Sequence, residues 1–283
     1  MEQIVFVIWR ESVEALLVVG LLHALLRQQD ASGQALRYLW WGVAGGLVMA
    51  LGLAGLLLGL SSLLGDGADV IFSTVLVWVA AALIVQMVLW MRVNGARLHG
   101  HFRQKSGEAI AAGNYWSIAV LAAIAIGREG SETVVFLYGM SSAQHAASDW
   151  LSFAAAIVFA LVLAGATYAA LQAGSRWLSW KAFFRVSEVL LLLLASSLIV
   201  SGIDHMIGLG WLPAGTNPVW DTSSVLDDST RVGGIVAALT GYRAYPAMTD
   251  VVAYAGFWLM IACLFYWQRL TVFNRQPQSV SKG

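Results

Sequence analysis

An arginine and two glutamates recur twice at the same spacing inside stretches that are otherwise apolar. Arg10-Glu11-Ser12-Val13-Glu14 lies within residues 4–27, and Arg128-Glu129-Gly130-Ser131-Glu132 lies within residues 115–140. Helical residues three apart share nearly one face, so Glu11 projects with Glu14, and Glu129 with Glu132. An ionisable side chain at membrane depth costs about 2.5–3.5 kcal/mol on insertion scales, and such groups face a partner or a water-filled path. Four carboxylates from two facing helices would make an oxygen-rich cage suited to a hard cation. Each arginine stands beside its glutamate, where a bidentate contact would hold the carboxylate rotamer and offset charge while no ion is bound. Among Arg10, Glu11, Glu14, Arg128, Glu129, Glu132 and Glu188, two positive and five negative groups leave a net charge of −3. That sign attracts cations. Ser12, Ser131 and Thr133 would add neutral oxygens or satisfy helix carbonyls, and Gly127 and Gly130 leave room for a helix or a hydrated ion. The plainer reading is a pair of intramembrane ion bridges that lock two helices together. Duplication at corresponding positions, with acids in excess, favours a site.

The elements that must position these groups are membrane helices. The chain has 283 residues, is 59% hydrophobic and 11% charged, and has a mean hydropathy of +0.73. A soluble domain carries about 25% charged residues, so an all-α polytopic membrane protein is expected. Sixteen basic and sixteen acidic residues balance, which implies no bulk attraction to nucleic acid. The lone Cys263 allows neither an internal disulfide nor a thiolate metal cluster. Met1-Glu2-Gln3 lacks the basic start of a secretory signal, and the first apolar stretch is read as a permanent helix.

Apolar runs of about 20 residues predict seven spans: 4–27, 37–61, 69–92, 115–140, 150–173, 183–205 and 250–269. Tryptophans near their ends, among them Trp40, Trp41, Trp90 and Trp116, form the expected interfacial belt. Arg27 and Arg37, then Arg92, Arg97, Arg103 and Lys105, then Arg176, Lys181 and Arg185, and finally Arg275 and Lys282 fall on one side. Asp66 and Asp69, Asp149, and Asp221, Asp227 and Asp228 fall on the other, against Arg231 and Arg243. The positive-inside rule places the N-terminus outside and the C-terminus in the cytoplasm. One membrane domain, 1–283, is expected: a three-helix repeat at 4–93, an inverted copy at 115–206, an external loop at 207–249 and a seventh helix at 250–270. Inverted repeats are a recurring transporter design with the site near the midplane. Within the loop, Val232–Leu239 is too short to cross.

R-E-x-x-E in the first and fourth of seven helices resembles the iron permease family, the oxidase-dependent iron transporters of fungi and their bacterial relatives. The match covers the whole membrane domain in helix number, orientation and motif placement. It implies that Glu11, Glu14, Glu129 and Glu132 bind and pass iron, with Arg10 and Arg128 orienting them. Fungal members read R-E-G-L-E; here Ser12-Val13 and Gly130-Ser131 occupy the variable positions and leave the acids in place. The chemistry alone would equally allow manganese or another oxygen-seeking cation, and some relatives are described as lead permeases.

Secondary candidates for the pathway are Glu188, one turn inside helix 6, and Asp69, at the start of helix 3, where a helix cap is the plainer role. Asp204 and His205 close helix 6 and could receive metal, against a helix-end hydrogen bond. Asp227-Asp228 reads as an acidic collecting surface or a solvated loop. Gln86 and Tyr138 line a path or bond a neighbouring helix, His23 is a buried hydrogen-bonding residue, and His99 and His101 are surface residues. No nucleotide-binding loop, catalytic triad or haem-attachment pattern is present, so no enzyme is expected, and no prosthetic group. The expectation is a bacterial inner-membrane permease that imports iron, ferric after oxidation by a partner. An external iron-binding protein and an oxidase are the implied partners, and the lipid bilayer is the solvent. A proton-coupled transporter of another cation such as manganese or lead is the alternative. A retinal sensor is disfavoured because helix 7 holds no lysine.

Overall fold

The computed structural model describes residues 2–29, 33–64, 66–94, 115–143, 150–173, 180–216 and 218–274. Arg97, His99, His101, Arg103, Lys105, Asp149, Arg176, Arg275 and Lys282 lie outside the described residues. The helices are α1 (Glu2–Gln29), α2 (Gln34–Leu63), α3 (Asp66–Asn94), α4 (Tyr115–Ala143), α5 (Trp150–Gln172), α6 (Trp180–Gly208), α7 (Arg231–Thr240) and α8 (Met248–Asn274). Five of them, α2, α3, α5, α6 and α8, contain segments long and apolar enough to cross a bilayer. Helices α1 and α4 have 28 and 29 residues, about 42 Å of rise, and are the two that carry the R-E-x-x-E motifs. The chain is a multi-pass membrane protein. Its outer faces are apolar, as lipid requires: Trp41, Val48, Leu51 and Leu56 of α2 are all more than half exposed.

Two pairs of helices run antiparallel. Val7 of α1 packs with Phe136 of α4, and Leu22 and Leu26 pack with Ile118 and Ala122, so the two motif helices cross head to tail. Helix α3 opposes α6 in the same sense. Thr74 meets His205 at 3.5 Å, Gly202 lies against the Trp78 indole, and Arg92 pairs with Glu188 at 2.5 Å. Between these contacts Val77, Ala80, Ile84 and Val88 interleave with Leu191, Leu194, Ala195 and Leu198 to form the central core. Helix α1 also packs on α5, and α2 on α4.

The α2–α4 contact sets the position of the second motif. A Cβ on Gly42 would stand 2.3 Å from the Ala119 carbonyl oxygen, and one on Gly46 would stand 2.8 Å from the Gly127 nitrogen. These obstacles are backbone, so the two helices touch main chain to main chain, as small residues permit in membranes. Ala50 continues the seam onto Gly130, inside the motif itself. Gly42→Leu is expected to separate the helices and lower the melting temperature of the detergent-solubilised protein sharply, an overpacking cost of about 3 kcal/mol or more. Gly52→Leu, at a glycine with nothing within 4 Å, should leave the melting temperature unchanged or raise it. Equal effects of the two substitutions would refute the close seam.

The segment between α6 and α8 is ordered by its own hydrogen bonds. Val219 N donates to Pro246 O at 2.9 Å, Thr222 N to Ala244 O at 3.1 Å and Met248 N to Thr216 O at 2.9 Å. Helix α7 opens on Thr230, whose hydroxyl accepts from Gly233 N at 3.1 Å, and closes on Gly241 at φ 75°. Gly241 combines that left-handed backbone with a close approach to Ser197, 3.1 Å from where a Cβ would stand, so only glycine fits. Sequence length excludes a crossing by this piece; its depth is the new finding. Ser197 Oγ donates to Ala237 O at 3.4 Å, Ser196 Oγ to Thr240 O at 3.1 Å, and Gln3 Nε2 to Ala238 O. Ser197 lies eleven residues before the end of α6, about 16 Å along the axis. Helix α7 therefore packs into the bundle, against α6 and beside Gln3 of α1.

Candidate metal site at mid-bundle

One turn of α1 and one turn of α4 meet near the centres of their helices. Arg10, 1% exposed, donates from Nη1 to Glu11 Oε1 at 2.6 Å and pairs through Nη2 with Glu14. Its guanidinium also points at two thioethers of α3, Met87 Sδ at 2.8 Å and Met91 Sδ at 3.6 Å. On α4 the spacing is used differently. Arg128 Nε donates to Glu132 Oε1 at 2.8 Å, and the guanidinium lies over the Trp90 ring at 4.7 Å. Glu129 is left to join the acids of α1.

Carboxylate oxygens of Glu11, Glu14 and Glu129 all lie within 4.8 Å of one another. Two ligands on opposite sides of an ion with bonds of about 2.1 Å stand about 4.2 Å apart, so a small contraction would bring all three onto one small hard cation. Buried polar oxygens normally find a donor. Here Glu11 Oε2, Glu129 Oε2 and Glu132 Oε2 are buried without one, so no protein donor meets them. Ser131 Oγ donates to Arg128 O and Thr133 Oγ1 to Glu129 O, each at 2.8 Å. Both hydroxyls donate to helix carbonyls.

The structure thus brings three of the four expected glutamates into one cluster, with Glu132 beside it in the Arg128 pair. The secondary candidates lie elsewhere. Glu188 is bridged to Arg92 at 2.5 Å, and Arg92 stacks on Phe265 at 3.6 Å. Counting Arg92 with the groups named from the sequence changes the net charge of the region from −3 to −2. Asp69 lies inside the first turn of α3, which begins at Asp66, so the cap expected there is not its position. Asp204 Oδ2 accepts from Arg243 Nη2 at 2.7 Å, and His205 Nδ1 lies 3.5 Å from Thr74 Oγ1. Gln86 is exposed on the outside of α3. Tyr138 meets Phe72 edge to face at 5.8 Å. His23 lines an open groove of about 450 Å³ with Arg27, Tyr168 and Gln172, rather than a buried position.

The acids of the 6–7 segment organise their own turns. The Ser223 hydroxyl and backbone N–H hold the Asp221 carboxyl below its ordinary range, and those of Ser229 do the same for Asp227. Asp228 Oδ2 accepts from Ala244 N at 3.3 Å.

Sequence reading gave Met87 and Met91 no role, and placed Trp90 in the interfacial belt and Arg92 among the loop charges rather than beside these acids. A signal was present in part: Met87 and Met91 are one turn apart on one face, and Arg92 is one residue past the second of them.

The chain is similar to a ferrous iron permease EfeU of Escherichia coli O6:K15:H31 (strain 536 / UPEC), 24% identical over 250 residues that cover 86% of this chain and 87% of the relative. A ferrous iron permease EfeU of Yersinia pestis is 22% identical over 262 residues, covering 92% and 91%. No solved structure matches. The model of the iron permease FTR1 family matches residues 1–272, and the chain belongs to that family.

Proposed function

We propose that this chain imports iron across a bacterial inner membrane, and that Glu11, Glu14 and Glu129 hold the ion midway, with Glu132 as a fourth acid and Arg10 and Arg128 as orienting cations. The observation that carries the reading is the convergence of three buried carboxylates from two antiparallel helices, two of whose oxygens, on Glu11 and Glu129, no donor reaches. Helices α1–α6 and α8 make seven crossings, with the N-terminus outside, and the two halves form an inverted repeat around the site. Antiparallel pairing of α1 with α4 and of α3 with α6 supports that topology, and rocking of one half against the other is the matching transport motion.

The oxidation state of the cargo follows from how it is supplied. Resemblance to the oxidase-dependent fungal transporters favours ferric iron loaded by an oxidase and an external iron-binding protein. The bacterial relatives are named for ferrous iron. Two guanidiniums and four carboxylates leave a charge of −2 at the motifs, which a ferrous ion cancels; this balance favours the ferrous form. Labelled iron uptake in a strain lacking other iron importers, with ascorbate or with a ferric chelate, separates the two. Uptake confined to the reduced arm is expected. Suppression of uptake by iron alone, and not by micromolar manganese or lead, is the selectivity expected of an iron permease. Export of manganese or lead from inverted vesicles, driven by a proton gradient, would replace this reading with that of a proton-coupled carrier.

A further inference from the structure

Each terminal nitrogen of the Arg10 guanidinium is shared between one oxygen and one sulfur. Nη1 stands 2.6 Å from Glu11 Oε1 and 2.8 Å from Met87 Sδ. Nη2 meets a carboxylate oxygen of Glu14 and lies 3.6 Å from Met91 Sδ. Two glutamates of α1 and two methionines of α3 therefore turn four donor atoms onto one buried cation. The core of α3 is otherwise built from residues without donor atoms, such as Val77, Ala80, Ile84 and Val88, and both of its methionines meet Arg10. Met87 is itself only 3% exposed. A thioether is a weak hydrogen-bond acceptor, and Arg10 Nε is buried with no partner at all. Hydrogen bonding thus satisfies this guanidinium poorly, whereas the same two oxygens and two sulfurs are a set of metal ligands.

We propose that Met87 and Met91 are ligands of the transported ion, which takes the place of the Arg10 guanidinium among Glu11, Glu14 and the two sulfurs. The guanidinium holds those donors together while no ion is bound, and one cation then exchanges for another. Glu129 adds its oxygen from α4, in the cluster it forms with Glu11 and Glu14. The mixed donor set has a consequence for selectivity. Carboxylates alone suit manganese and magnesium, thioethers favour softer ions, and affinity rises from manganese to ferrous iron. Sulfur widens that gap, while a harder ferric ion gains nothing from it. Helix α3, rather than the two motifs, is then what separates ferrous iron from manganese. This inference rests on the central-site reading above, to which it adds the sulfur ligands and the ferrous preference they give.

The test uses purified full-length chain in detergent, loaded with Fe²⁺ under anaerobic conditions. X-ray absorption at the iron edge should show sulfur bound to the metal beside oxygen. Met87→Leu/Met91→Leu should remove the sulfur and leave the oxygen. Leucine is close to methionine in volume, a swap that cores accept readily. Fe²⁺ affinity of this variant should fall about tenfold, with Mn²⁺ affinity little changed. In cells, excess Mn²⁺ should then suppress labelled iron uptake by the variant and not by the unmodified chain. Equal losses for the two metals would assign the thioethers to packing, or to positioning Arg10, and overturn the proposal. An oxygen-only environment for iron in the unmodified chain would overturn it as well. Should the double variant fail to fold, Met91→Leu alone decides: loss of about half the sulfur signal is expected of two equivalent ligands, and an unchanged signal overturns the proposal. Failure of the central site itself is a separate result. It would appear as Fe²⁺ binding that survives Glu11→Gln/Glu14→Gln unchanged, and it would take this proposal with it.

Discussion

Glu14→Gln is expected to cut iron uptake about 100-fold while the protein reaches the membrane in normal amounts. The change is nearly isosteric, so packing around Val13 and Leu17 survives, and what is lost is one charged ligand in a dry site. A contact to a charged group is worth up to about 3 kcal/mol, and each 1.4 kcal/mol is a factor of ten. Glu11→Gln and Glu129→Gln should match it, because these three share the cluster with oxygens within 4.8 Å of one another. Glu132→Gln should be milder, about tenfold, because Glu132 stands outside that triplet in its pair with Arg128. Glu188→Gln, whose partner is Arg92, should fall less again. Labelled iron uptake normalised to membrane abundance gives the ranking. Normal uptake by Glu14→Gln would remove the central site altogether, and equal losses at Glu132 and Glu14 would remove its three-plus-one arrangement.

That ranking marks the boundary of what the sequence could disclose. A charged motif inside an apolar run is conspicuous because little else there is polar, and its duplication at the start of two three-helix units points to a facing pair. The facing pair of motifs is where the sequence places it, on antiparallel α1 and α4. The division of labour between the copies is not written in the spacing. Both motifs read R-E-x-x-E, yet Arg10 holds both of its acids and Arg128 holds one. The difference comes from α3: Met87 and Met91 lie under Arg10, whereas Trp90 draws the Arg128 guanidinium over its face. Those three residues sit in a helix whose own sequence reads as plain apolar span, and Trp90 looks like a member of the interfacial belt. Their role appears only once the register of α3 against α1 and α4 is fixed.

The packing of α7 into the bundle was hidden for a related reason. Length and hydropathy separate segments that cross from segments that do not, and Val232–Leu239 does not cross. Whether a short helix lies on the surface or enters the bundle depends on having a cavity to enter and donors for its last carbonyls. Gln3, Ser196 and Ser197 provide the donors. Irregular backbone at membrane depth is tolerated where protein buries it, and every partner that makes this possible is distant in sequence.

Arg10→Ala is expected to be the most destabilising single change at the motifs. Arg10 is 1% exposed and bridges Glu11 and Glu14, so its loss strands two carboxylates in a site that water does not reach. Breaking a buried pair by removing one partner costs about 3–5 kcal/mol, most of it the unpaired charge that remains. The Arg128 side chain is 38% exposed, and an ion pair open to that extent is worth about 1 kcal/mol or less. Thermal unfolding in detergent should therefore show a large loss for Arg10→Ala and a small one for Arg128→Ala. Arg10→Lys should recover most of the stability, since the charge is kept, but little of the uptake, since an ammonium cannot hold two carboxylates in the fixed geometry of the guanidinium fork. Replacing all three charges at once, Arg10→Met with Glu11→Gln and Glu14→Gln, should restore stability while uptake stays abolished. Equal unfolding temperatures for Arg10→Ala and Arg128→Ala would show that buried charge is not what holds α1 in place. A triple variant no more stable than Arg10→Ala would assign the role of Arg10 to packing against Met87 and Met91, with the glutamates free to take an ion without it.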